Sequence, residues 1–286
     1  MSRFVCLMYH DVCPASELGA EAQHARLSPS IRSYTVTTNQ FREQVAAIGR
    51  DRWLDPAELR CPATSTGEPS SPRVLLTFDD GWTGSILEAG PILKEYGARA
   101  LVFVTTGLIG HPMFVSESLL SQLSQDTFEV GSHTVTHPFL AECTSDVIRR
   151  ELTESRCELE DILGRCVESM SIPNGSLDER VLKIARECGY ETIFTSETTT
   201  NAIGDHVIGR VAVRSETTTD SLLQWVDGSL GSAGWRRQTL EFSKKFLGPK
   251  RYRQLRGWAL GEVDGQADMA SLVTEHHAAT SQLVPV

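Results

Sequence analysis

Residues 74–81 read Val-Leu-Leu-Thr-Phe-Asp-Asp-Gly, an apolar run that stops on two carboxylates and a glycine. A run of this length and composition is a buried strand, and the polar triplet marks its end. The pattern recurs on both sides. Arg3 to Tyr9 is apolar and stops at His10-Asp11, and Ala100 to Val104 is a second strand-like run. Phe128 to Val130 leads into Gly-Ser-His-Thr-Val-Thr-His (131–137), and Val167 to Ile172 leads into Pro173-Asn174-Gly175. Ile193–Thr195 and Val207–Val213 complete the series.

Between these runs lie helical patterns: Phe41, Val45 and Ile48 behind Thr38-Asn39, then Ile86 to Tyr96 stopped by Gly97. Leu119–Leu123, Asp146–Leu163 before Gly164, and Asp178–Cys188 follow. Strand–helix alternation at this spacing means parallel strands, and its repetition favours an α/β barrel-like closure. Residues 11–37 show no period and read as a loop, of a length that is more often lid-like than idle. Residues 61–73 read as a surface linker. The character changes near residue 235, so the chain divides into a barrel over 1–232 and a helical C-terminal extension over 233–286.

The bulk numbers exclude several classes of partner. The chain has 286 residues, 40% hydrophobic and 22% charged, with a formal net charge of −10. That charge repels nucleic acid and anionic membranes. Arg236, Arg237, Lys244, Lys245, Lys250, Arg251, Arg253 and Arg256 form a late basic cluster that reads as solvated helix faces. These helices are expected to pack on the barrel or to form a homo-oligomer contact. Seven cysteines without a CxxC pair fit free thiols. No membrane span and no signal peptide are visible, so a cytoplasmic location is expected.

Three polar clusters each follow a strand, and strand C-termini share one face of a barrel. Two carboxylates and two imidazoles converging there compose a metal site suited to hydrolysis. His133 and His137, four apart, would share one side of a helical turn. One of the adjacent aspartates completes a facial set of three ligands, and the other is free to act as a base. A lone His-x-x-x-His is a weak signal, and a lone Asp-Asp-Gly is more often a turn. Their combination at strand ends carries the argument.

Together the 74–81, 131–137 and 172–175 segments resemble the polysaccharide deacetylase family (carbohydrate esterase family 4, NodB homology). Leu-Met-Tyr-His-Asp-Val (7–12) resembles its poly-N-acetylglucosamine deacetylase branch. The resemblance implies a distorted (β/α) barrel with fewer than eight strands. It implies Asp79 as base and Asp80, His133 and His137 as ligands of Zn2+, with Co2+, Ni2+ or Fe2+ as alternatives. It implies a metal-activated water as nucleophile, and an oxyanion donor in the backbone of Asn174 beside Pro173.

There are departures from the family pattern. Ser171 stands where the family often has an arginine paired with the base, and Asn174 removes an aromatic wall. No Leu-x-His, source of the usual general acid, is visible near residues 205–225. His10, at the end of the first strand, is the first candidate for that acid, and His206 a weaker one. Arg210 could supply the charge that Ser171 lacks, facing the substrate or the oxyanion, or simply form a surface pair. The expected reaction is hydrolysis of the N-acetyl group of an amino sugar or N-acetylated glycan. A formamido-sugar deformylase and an inactive glycan-binding protein are the rival readings.

Overall fold

The computed structural model describes residues 3–18, 23–60, 72–231 and 267–281. The expected linker is therefore outside the described residues over 61–71, and so are residues 232–266 with the whole basic cluster. The strands are β1 (Arg3–Tyr9), β2 (Asp11–Cys13), β3 (Thr35–Thr37), β4 (Arg73–Phe78), β5 (Ala100–Val104) and β6 (Phe128–Ser132). They continue with β7 (Ser169–Ser171), β8 (Thr192–Phe194), β9 (Asn201–Ala202), β10 (Val207–Ile208) and β11 (Val211–Ala212). The main sheet runs β10-β8-β7-β6-β5-β4-β1-β11, parallel throughout, with β9 added antiparallel to β1.

This is the distorted (β/α) barrel expected from the sequence. The run 207–213 is not one strand but two. β10 pairs with β8, β11 pairs with β1, and Gly209-Arg210 lies between them. One split stave thus reaches both edges of the sheet and nearly closes it.

Strand alternation sorts the side chains. Phe4, Cys6, Leu75, Leu101, Phe103, Phe194 and Ile208 fill the barrel interior. The opposite faces, with Val5, Leu7, Leu76, Val102 and Val130, pack against the outer helices in a larger core. Those helices include Thr38–Ile48, Ala89–Tyr96, Ser145–Leu163, Glu179–Glu187 and Thr219–Val226. Their ends follow local chemistry. The side chains of Thr37, Thr144, Asp178 and Thr218 accept from first-turn amides, and Gly97 and Gly164 supply left-handed C-caps.

Residues 11–37 depart from the expected loop. β2 and β3 pair in parallel as a second small sheet, with short turns between them. The pairing was hidden in the sequence because each strand is only three residues long. The helix Met269–Ser281 lays Met269, Leu272 and Val273 on Leu27, Trp82, Leu108 and Phe114 at the barrel mouth. Among the described residues no helix is long and apolar enough to cross a membrane, and six cysteines are free.

Candidate metal and catalytic centre

The strand β4 register places Leu75, Thr77 and Asp79 on its inward face, so Asp79 emerges at the C-terminal rim of the barrel. Tyr9 of β1 pairs with Phe78, and the Asp79 amide donates to Tyr9 O at 2.9 Å. His10 and Asp79 therefore leave adjoining strands side by side.

Asp80 takes a left-handed turn (φ 72°). Its Oδ2 accepts from Trp82 Nε1 at 3.0 Å. Its Oδ1 is buried without a hydrogen-bond donor and lies 3.4 Å from both His133 Nε2 and His137 Nε2. These three side chains form a cluster able to hold a metal ion. A buried, orphaned carboxylate oxygen between two imidazole nitrogens is the arrangement that a divalent cation would satisfy. The His133 Nδ1–H donates to Ser171 O at 2.9 Å, which fixes the ring and leaves Nε2 free as a ligand.

The two histidines do not share a helical turn. Residues 133–139 are irregular, and Thr134 and His137 are left-handed (φ 67° and 56°). Glu151, from the helix Ser145–Leu163, accepts from the Val135 and Thr136 amides at 2.9 and 2.8 Å and from Thr136 Oγ1 at 2.8 Å. Thr134 Oγ1 accepts from the His137 amide. These bonds replace helical ones and bring the rings to 4.9 Å between centroids. With Asp80 and Asn174 (φ 56°), these are the four non-glycine residues at positive φ among the described residues, and all lie in the three strand-end motifs. Such conformations cost about 1–3 kcal/mol each and persist where surrounding bonds impose them.

Arg210 is wholly buried and turned into the barrel. NH1 donates to Asp79 Oδ1 at 2.7 Å and NH2 to Asp79 Oδ2 at 2.8 Å. The remaining donors go to Thr77 Oγ1 (3.1 Å), Ser171 Oγ (2.7 Å) and Thr195 O (3.1 Å). All five N–H groups of the guanidinium are thereby used. Arg210 thus supplies the charge that Ser171 lacks and is not a surface residue; with every donor used, it is not free to touch a substrate or an oxyanion. Its aim is set by Gly209, where a Cβ would come within 2.3 Å of Glu197 O and 2.4 Å of Thr199 Cγ2. Asn201 clamps both backbone groups of Gly209.

The electrostatics follow. Burial alone would raise the Asp79 pKa, but the charges of Arg210 and His133 outweigh it and hold the carboxyl low. Asp80 is likewise held low, its burial outweighed by the two imidazoles. Burial pushes His137 down to about 4. Burial also lowers His10, against the pull of Asp80 and Asp79, so its imidazole rests neutral. His133 goes the other way, because Asp79 and Asp80 outweigh its burial.

His10 packs its ring on Tyr34, 4.3 Å between centroids, and its Nδ1 has no hydrogen-bond partner. Pro173 is buried under the turn that exposes Asn174. His206 is excluded from the site. It precedes β10, at the opposite end of the barrel, and its Nδ1 lies 3.2 Å from Glu191 O. Glu151 and Trp82, which hold the ligand loop and Asp80, were missed from the sequence. Each reads there as an ordinary helix charge or core aromatic.

The barrel rim joins a carboxylate–bis-imidazole cluster that could hold a metal ion to a second, arginine-paired carboxylate, a composition suited to a hydrolase. Residues 66–193, which carry both histidines and both aspartates, match the polysaccharide deacetylase family model. The Bacillus subtilis (strain 168) protein YxkH, named for a polysaccharide deacetylase, is 32% identical over 144 residues, 50% of this chain and 52% of that protein. Peptidoglycan-N-acetylmuramic acid deacetylase PdaA of the same strain is 30% identical over 133 residues, covering 46% and 49%. The chain thus spans about half the length of the curated relatives it matches. The Streptococcus pyogenes deacetylase PplD, solved in complex with acetate, superposes with a TM-score of 0.64 at 24% identity, covering 78% of this chain and 98% of that one. That likeness establishes the fold.

Proposed function

We propose that this protein is a metal-dependent N-deacetylase acting on an amino sugar or an N-acetylated glycan. The observation that carries the reading is the orphaned Asp80 Oδ1, 3.4 Å from each of two imidazole nitrogens, next to a second carboxylate kept ionised by Arg210. The names of the matched relatives point to the same chemistry.

Asp80, His133 and His137 would hold the ion, and their one-carboxylate, two-imidazole set suits Zn2+, Co2+, Ni2+ or Fe2+. When bound, such an ion polarises a carbonyl and acidifies water. Asp79 is the base. It is charged through the neutral range and held by Arg210 and Ser171, so it accepts a proton from water at the rim. The exposed Asn174 turn offers a backbone N–H to the oxyanion, with Pro173 bracing it. His10, neutral at rest and beside Asp79, takes up the proton and delivers it to the departing amine. Without that proton the C–N bond would have to expel an amide anion. Tyr34 packs its ring against His10 and carries the Arg214 guanidinium 4.1 Å from its centroid, so it holds His10 in place.

The test is acetate release from N-acetylated monosaccharides, sugar nucleotides, chito-oligosaccharides and poly-N-acetylglucosamine fragments. Formamido sugars form a parallel arm. Metal-free protein is assayed with each ion added back. Metal-dependent release that disappears in Asp79→Asn supports the reading, and the preferred substrate checks the poly-N-acetylglucosamine branch. Absence of release from every compound with metal bound refutes it.

A further inference from the structure

A cavity of about 500 Å3 opens where β2 and the turn Gln23–Arg26 meet at the barrel mouth. Asp11 and Cys13, two apart on β2, present their side chains on one face, and His24 comes in from the turn. The ligating atoms of these three buried residues all lie within 4.8 Å of one another. His24 Nε2 is 2.7 Å from Asp11 Oδ2. Glu17 and Glu88 also line the cavity, and no lysine or arginine is among its described lining residues. The anionic charge there has one basic group facing it, His24.

The cluster is held in place. β2 is fixed by its pairing with β3, and the backbone of Gly84 closes against it. A Cβ at Gly84 would stand 2.0 Å from Val12 O and 2.6 Å from Asp11 Oδ1. His24 stacks on Trp82 at 6.4 Å between centroids.

We propose that Asp11, Cys13 and His24 form a second divalent-cation site, of the zinc type, distinct from the Asp80–His133–His137 cluster. The donor set is one carboxylate, one thiolate and one imidazole, the mixture that borderline-soft ions take. Glu17, on the cavity wall, or a water completes four-coordination. Without a cation the surroundings oppose the thiolate: burial, then Asp11, Glu17 and Glu88, push the Cys13 thiol up to about 12. A coordinated cation reverses this and releases the thiol proton to solvent. The ion ties the turns of residues 15–18 and 23–26 to the barrel. It also fixes His24 against Trp82, the residue whose indole N–H holds Asp80.

The test uses the full chain, stripped of metal and titrated with Co2+, because a sulfur-to-cobalt charge-transfer band in the near ultraviolet reports thiolate ligation alone. Wild type is expected to bind two equivalents, one of which develops the band, and Zn2+ should erase it. Asp80→Asn should keep the band, which separates this site from the proposed active centre. Cys13→Ser should abolish it, and Asp11→Asn should weaken Co2+ binding at the band-forming site at least 10-fold. Circular dichroism checks each fold, and His24→Ala replaces Cys13→Ser if that variant does not fold. Co2+ bound to wild type without a sulfur band overturns the proposal. So does a band that survives in folded Cys13→Ser, or in folded His24→Ala at undiminished affinity.

Discussion

Arg210 and Asp79 lie 131 residues apart in the chain and meet through two parallel N–H···O bonds of 2.7 and 2.8 Å beneath the C-terminal rim of the barrel. The pair is fully desolvated, and each partner is bonded to Ser171. Removing one member leaves the other buried and unpaired, at a cost of about 3–5 kcal/mol. Arg210→Met should therefore lower stability by roughly that amount at pH 7, measured by urea denaturation. The Asp79 carboxyl is held below its unfolded value of about 3.9. Its contribution is thus complete above that pH and disappears as pH falls through the lower folded value. The stability gap between wild type and Arg210→Met should narrow in strong acid. A gap that stays constant with pH would contradict the pairing.

The same pair sets the activity profile. Without Arg210, burial acts on Asp79 unopposed by its main counter-charge and raises its pKa. The acid limb of kcat/KM in a folded Arg210→Met variant should move to higher pH. An unmoved limb would assign the base elsewhere.

Metal affinity should depend on pH through His133. Asp79 and Asp80 favour its protonated form, and a metal must displace that proton. Binding, followed by calorimetry, should weaken as pH falls, beginning above the ordinary imidazole range. His137, with its pKa pushed down to about 4, adds little to that slope. A flat profile would show that His133 is not a ligand.

Glu151→Gln removes the carboxylate that holds the His133–His137 loop by three hydrogen bonds. Partners of this kind are worth about 10–100-fold in metal affinity. The expected result is weaker metal binding in a folded protein, read by competition with a chelator.

His10→Ala should reduce kcat by about 10^2–10^4, the range of general acid–base catalysis, with KM changed less. A variant with unchanged kcat would free His10 of that role. Substrates with better leaving groups should recover part of the loss, because they need less proton donation.

The sequence was most legible where chemistry falls at strand ends. Phe78-Asp79-Asp80 and Ser132-His133 converge in three dimensions as their strand ends suggest, because a strand fixes where its last residue points. Arg210 was visible as a residue but not as a contact, since Val207–Val213 reads as one strand and only the break at Gly209 turns the side chain inward. Glu151 is one of several acids on an amphipathic helix, and nothing local marks the one that is buried. The short β2–β3 pair escaped because neither strand is long enough to show a period.

The guanidinium that neutralises Asp79 arrives on the split stave, while Ser171, on β7 with β8 between, contributes only a hydroxyl to the same spot. In a barrel every inward-facing strand end looks onto one shared volume. A charge can therefore migrate from one stave to another over evolutionary time and keep its address in space while losing its address in the chain. Searches keyed to a linear motif would score position 171 as a loss. Comparisons keyed to occupied volume would score positions 171 and 210 together as an exchange.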